Sequence, residues 1–169
     1  MTIPIVSIVG KSNTGKTTLV EKLILQLTGR GYRVAAIKHN LHGFEIDHEG
    51  KDSWRHKKAG ACLTVICSPQ KVALIEDAQK DYSLAEIRTK YIHDVDLILS
   101  EGYKDTVFPR IEVFRSELNR ELLSKKDNNL MAVAADIKLD VGVPCFDVND
   151  ARGIADLIEN TFFKDHSPA

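Results

Sequence analysis

"IVGKSNTGKTTLV", from Ile8 to Val20, is the stretch that decides the fold. It sets two glycines, two lysines and three threonines between apolar runs. Gly10, Gly15, Lys16 and Thr17 fill the pattern G-x-x-x-x-G-K-[ST], in which each residue type has a physical task. The glycines let the backbone curl around an anion with no side chain in the way. The curl turns successive N–H groups inward into an anion nest, at a helix start whose dipole end is positive. Lys16 is expected to reach the β- and γ-phosphates of a nucleotide, and the Thr17 hydroxyl to hold Mg2+.

The flanks supply the context that this motif requires. "IPIVSIV" (3–9) is a short β-branched run ending at glycine, as a buried strand does. "KTTLVEKLILQLTGRG" places Leu19, Leu23, Ile24 and Leu27 at helical spacing and stops at Gly29 or Gly31. "YRVAAIKH" (32–39) reads as the next strand, so the three segments form a right-handed parallel βαβ unit. Further along, "DSWRHKKAG" reads as a short helix opened by an Asp cap, and "ACLTVICS" and "KVALIED" as a hairpin turning at Pro69-Gln70. "SLAEIRTKYI" carries Ser83 and Glu86 in the capping-box spacing. Strands follow at Leu97–Ser100, "RIEVFR" and "LMAVAAD", and then a C-terminal helix capped by Asn149 or Asp150. Strands alternating with helices predict an α/β fold of the P-loop NTPase type: a mostly parallel sheet flanked by helices, with an added β-hairpin. Residues 1–163 are expected to form a single nucleotide-binding domain and residues 164–169 a frayed tail.

The chain of 169 residues has 23 basic and 24 acidic side chains, a balance that favours neither nucleic acid nor a membrane surface as partner. No run approaches the roughly 20 apolar residues that span a bilayer, and "MTIPIVSIVG" has no basic leader region, so a cytoplasmic location is expected. Cys62, Cys67 and Cys145 form an odd, sparse set that reads as reduced core thiols.

A phosphate loop of this kind needs an acid at the end of a neighbouring strand. "LILSEG" supplies Glu101, and Gly102 can offer its N–H to the terminal phosphate. Asp96 begins the same strand and belongs to its far end, because the four residues between move the chain roughly 13 Å. Asp47 and Asp52 follow the second strand, and either can approach the metal or orient a water; the expected set takes Asp47 with Lys16 and Glu101 as catalytic, and Asp52 with Thr17 and Glu101 as metal ligands. His39 and His42 have i, i+3 spacing but no helical metal frame around them, so hydrogen-bonding histidines are the default. The guanine-reading motif N-K-x-D is absent, and Asp136, at the end of "AVAAD", can do its work. Lys11 stands five positions before Lys16, where one group of dimeric P-loop proteins carries a lysine that reaches the partner's nucleotide.

"GKSNTGKTTLVEKLI", "IKHNLHGFEIDHEGKDSWRHKKAGA", "DLILSEGYK" and "PRIEVFR" together resemble the MobB family, the GTP-binding accessory protein of molybdopterin guanine dinucleotide synthesis. The likeness runs from about Ile3 to Ile158. It implies a homodimer, Mg2+-dependent GTP binding and slow GTP hydrolysis. It also implies a partner, the molybdopterin guanylyltransferase, with molybdopterin itself a further candidate ligand. Carried over, Gly10, Lys11, Ser12, Asn13, Thr14, Gly15, Lys16, Thr17 and Thr18 hold phosphates, while Thr17 and Glu101 serve the metal. Asp47, Asp52 and Arg55 fall at matching positions without assigned roles. "HNLHGF" departs from the denser histidine run of many relatives, which weakens a metal role there. Two other classes stay open: a nickel-delivering metallochaperone GTPase, and an ATP-dependent small-molecule ligase of the dethiobiotin synthetase type.

Overall fold

A computed structural model describes residues 2–103, 107–119, 121–123 and 128–164. The chain divides into two compact units, one built from Met1–His39 and Ile87–Ala169 and the other from Asn40–Glu86. Of the tail expected to fray, residues 165–169 lie outside the described residues.

Among the described residues, the first unit holds a six-stranded sheet in the order β2-β5-β1-β6-β7-β8. Its strands are β1 (Ile5–Val9), β2 (Val34–Lys38), β5 (Leu97–Glu101), β6 (Arg110–Phe114), β7 (Leu130–Ala135) and β8 (Cys145–Asp147), and every pairing is parallel. β1 and β5 are buried along their whole length, as parallel strands covered on both faces must be. Even the polar pair inside them is satisfied, with Ser100 Oγ donating to Ser7 Oγ at 2.9 Å.

The helices α1 (Lys16–Gly29) and α4 (Ala151–Phe162) cover one face. Leu19, Leu23 and Leu27 of α1 and Ile154, Ala155 and Ile158 of α4 meet Val6, Ile8, Leu97, Leu99, Ile111 and Val113 in one core. Leu130, Val133 and Ala135 anchor a smaller cluster with Phe114, Leu139 and Val143. α1 ends as the glycine predicts. Gly31 takes φ +93°, and the N–H groups of Gly31 and Tyr32 donate to the carbonyls of Thr28 and Leu27. Asp150, the second of the two expected caps, accepts from the Gly153 N–H at 2.9 Å and starts α4.

The second unit contains α2 (Asp52–Lys58) and the antiparallel hairpin of β3 (Leu63–Cys67) and β4 (Val72–Glu76), in which Val65 faces Leu74. α3 (Leu84–Tyr91) begins with the expected capping box: Ser83 N–H donates to Glu86 Oε2 at 2.9 Å, and Glu86 N–H to Ser83 Oγ at 3.3 Å. The hydrogen bond from Lys80, reinforced by those from Ser83, holds the Glu86 carboxyl down at about 2.

Three expectations need correction. Asp52 does not cap α2; Lys51 holds that position and Asp52 is the first helical residue, so no side chain caps the helix. Cys62 and Cys67 are exposed and Cys145 half-buried, so the thiols are not in the core. The hairpin strands carry apolar residues on faces that nothing in their own unit covers, and apolar neighbours there do not signal burial. β8 was not foreseen, since three residues of strand directly after Gly142 and Pro144 carry too short a pattern.

Tyr32, only 5% exposed, joins α1 to α4 by donating to Glu159 Oε1 at 2.8 Å, beside the Arg30 guanidinium on Glu159 Oε2. Burial, then the Glu159 hydrogen bond, pushes the Tyr32 hydroxyl up to about 12. Tyr32→Phe is expected to lower stability by about 1 kcal/mol in urea denaturation at neutral pH. A raised folded-state value stabilises below the unfolded value of about 10 and fades as pH climbs toward 12. The gap between parent and variant should therefore shrink from pH 10 to 12; a gap that grows would contradict this assignment.

Candidate nucleotide-phosphate site

The site is built where β1, β2 and β5 end side by side. Gly10 leaves β1 at φ +144°, and a Cβ there would stand 2.5 Å from the Val113 carbonyl oxygen. Asn13 (φ 65°) and Gly15 (φ 93°) take the left-handed turns that curl the loop back into α1. Thr14 is buried and its hydroxyl donates to the Lys11 carbonyl at 3.0 Å, while Lys16 Nζ reaches over the loop to the same oxygen at 2.8 Å. No side chain caps α1 and no acid sits in its first turn, which suits an anion at that end.

Glu101 closes the other side. It is 7% exposed, and its Oε1 and Oε2 lie 2.9 and 3.0 Å from Thr17 Oγ1, the donor. Lys38, its register partner on β2, brings Nζ to 2.6 Å from Oε1. Gly102 follows at φ +101°, pressed so close to His39 that a Cβ would meet its carbonyl oxygen at 2.6 Å. The His39 ring stacks on Tyr103 with centroids 4.1 Å apart. Gly10, Ser12, Lys16, Lys38, His39, Glu101 and Gly102 line a cavity of about 200 Å3. A larger cavity of about 510 Å3 lies within the second unit, lined by Asp47, Trp54, Lys58 and Asp77 among others, and has no phosphate loop.

The donor set fits Mg2+. A hydroxyl and a carboxylate are the hard oxygen ligands this ion takes, and an ammonium group already stands against the carboxylate as a cation. Asp96 sits at the opposite end of β5, where the Arg33 guanidinium and N–H hold its carboxyl below the usual range.

The other expected residues fall elsewhere. Asp136 follows β7, and its two oxygens accept from the Ser116 N–H and Oγ, each at 2.9 Å. The backbone N–H of Ser116 is the main cause of its lowered pKa. Arg115, one residue earlier, donates from Nε to the Thr14 carbonyl at 3.4 Å, and Lys11 lines a small hollow with Thr14 and Arg115. Asp47 and Asp52 belong to the second unit. Asp47 Oδ1 accepts from the His48 N–H at 2.8 Å, and its Oδ2 is buried without a hydrogen bond among the described residues. The Asp52 side chain is 90% exposed, 3.9 Å from Arg55. Sequence reasoning missed Lys38 and Ser116. Lys38 could have been found by its place as the last residue of "VAAIK", beside the strand that ends in Glu101.

Parallel sheet, glycine loop after β1 and acid after β5 define a P-loop NTPase fold. The family described as "Molybdopterin guanine dinucleotide synthesis protein B", MobB, matches residues 5–136. The Haemophilus influenzae molybdopterin-guanine dinucleotide biosynthesis adapter protein is 38% identical over 94% of this chain and 89% of its own. The Escherichia coli adapter is 37% identical over 92% of this chain and 91% of its own. A crystal structure of a molybdopterin-guanine biosynthesis protein B superposes with a TM-score of 0.73 at 31% identity, covering 94% of this chain and 98% of that one. Bacillus subtilis MobB superposes at 0.76 with 27% identity, over 96% of this chain and all of its own. The chain belongs to the MobB family.

Gly102→Ala is expected to lower stability by about 1–3 kcal/mol, because its positive φ and the His39 carbonyl leave no room for a methyl group. Gly29→Ala, with open space at the end of α1, should raise stability by about 0.4–1 kcal/mol. Thermal or urea denaturation of the two variants checks both signs.

Proposed function

We propose that this protein is a GTP-binding adapter with slow Mg2+-dependent GTPase activity, which assists the guanylyltransferase that joins GMP to molybdopterin. The observation that carries the reading is the Thr17–Glu101 pair across the mouth of the glycine loop, the donor set a metal–triphosphate needs. Its biological context comes from the relatives, which are named adapters of molybdopterin-guanine dinucleotide biosynthesis.

The phosphates lie along residues Gly10 to Thr18, with the Lys16 ammonium released from the Lys11 carbonyl to the β and γ positions. Thr17 and Glu101 would hold Mg2+, which would supply positive charge to offset that of the phosphates. Glu101, buried at the strand end, orients that side of the site, and the Gly102 N–H serves the terminal phosphate. Asp136 serves the guanine ring from the end of β7, where Ser116 holds both its oxygens. Asp47 and Asp52 enter as water- and metal-facing candidates carried by the second unit.

The adapter acts as a homodimer. Leu63, Val65, Val72 and Leu74 of the hairpin are 43%, 52%, 72% and 49% exposed. An uncovered apolar strand pair is a template for another chain, and a two-fold pairing covers both copies at once.

Two experiments test this reading. Lys16→Ala should weaken GTP at least tenfold, about 1.4 kcal/mol, and Glu101→Gln should slow hydrolysis far more than it weakens Mg2+-free GTP binding. Calorimetric GTP binding unchanged in Lys16→Ala would sink the phosphate assignment, and tighter binding of ATP than GTP would favour the ligase class. Light scattering should give a dimer mass at micromolar concentration. Val65→Asp or Leu74→Asp should split or aggregate that dimer, since an unpaired buried charge costs several kcal/mol; a parent that runs as a monomer ends the idea.

A further inference from the structure

The cation that neutralises Glu101 is an amino group of the chain itself. Lys38 Nζ stands 2.6 Å from Glu101 Oε1, on the carboxylate that also accepts from Thr17. The two residues are direct register partners, so strand pairing sets them side by side. They differ sharply in freedom. The Glu101 side chain is 9% exposed and held from two sides, whereas the Lys38 side chain is 62% exposed and comes from β2, which lies at one edge of the sheet.

We propose that Lys38 is a built-in stand-in for the divalent cation of the phosphate site. It competes with Mg2+ for Glu101, and so sets the Mg2+ concentration at which the site takes up a nucleoside triphosphate. The inference rests on the reading of this loop as a Mg2+–nucleotide site. A buried carboxylate needs a counter-charge whether or not nucleotide is bound, and in the empty site Lys38 supplies it. An ammonium group is a compact point charge on a flexible stem, well suited to leave. It cannot share Oε1 with a second cation at contact distance, because like charges so close repel strongly in a partly buried site. Mg2+ therefore enters only as Lys38 swings out. The displaced ammonium stays at the rim of the same cavity, which Lys38 lines together with Ser12, Lys16 and Gly102.

The test is a calorimetric titration of GTP at a series of Mg2+ concentrations for the parent, Lys38→Met and Lys38→Arg. Lys38→Met keeps the length of the side chain and removes the competitor. It should lower the Mg2+ concentration that half-restores GTP affinity by about threefold or more, the scale of a partly exposed ion pair. Lys38→Arg keeps a cation that can grip the carboxylate with two N–H groups, and should need at least as much Mg2+ as the parent. In a Glu101→Gln background, Lys38→Met should no longer move the Mg2+ requirement, the signature of a coupled pair. A Lys38→Met protein that binds GTP yet needs the same or more Mg2+ overturns the competition and leaves the phosphate site standing. A parent that binds no GTP at any Mg2+ concentration overturns the site assignment and this inference with it.

Discussion

A carboxylate almost out of water at the end of the central sheet constrains everything around it. Glu101 is 7% exposed, and an ionised group at that depth is tolerable only when its partners are fixed in place. Those partners come from two segments far apart in sequence: Thr17 at the start of α1 and Lys38 at the end of β2. The strand order β2-β5-β1 is what brings their ends together, with β5 between its two suppliers. The same crowding explains two glycines. Gly10 and Gly102 stand where any Cβ would strike a carbonyl oxygen of the neighbouring segment, at 2.5 and 2.6 Å. Parallel pairing sets the strand ends side by side at about 5 Å, and glycine is the residue that fits between them.

The two units follow different physical rules. The first buries its apolar residues on a parallel sheet, down to zero exposure for Val6, Ile8, Leu23, Leu97 and Ile111. The second leaves the apolar faces of its hairpin open, with Val65 and Leu74 paired across the strands and both exposed. One unit is finished by its own contacts. The other leaves Leu63, Val65, Val72 and Leu74 of its hairpin exposed.

Most of the first unit was legible in the sequence because its signals are local. The glycine loop and the helical spacing of Leu19, Leu23 and Leu27 each lie within a few residues and appear as expected, as does the capping box at Ser83 in the second unit. Glu101 was also legible, since only one acid stands at the carboxyl end of "LILS". What escaped depends on pairing between distant segments. Lys38 looks like any lysine at a strand end until β2 is laid against β5 in register. The thiols misled for the opposite reason: Cys62 and Cys67 have apolar neighbours in sequence, yet both are exposed. The reading of Asp52 as a cap failed by one residue, within the usual uncertainty of a helix start.

The end of β6 shows how the loop and the strand beside it are tied. Arg115 donates to the carbonyl of Thr14 inside the phosphate loop, and its neighbour Ser116 donates twice to Asp136 at the end of β7. Thr14 in turn is anchored on Lys11. Two adjacent residues therefore link the loop to Asp136, through four hydrogen bonds counted with the Thr14 anchor. Arg115 is extended and Ser116 opens a short 3-10 turn (Ser116–Leu118), so the chain changes direction between the two contacts. The link between the glycine loop and Asp136 therefore runs through the two residues that follow β6, neither of which belongs to the loop.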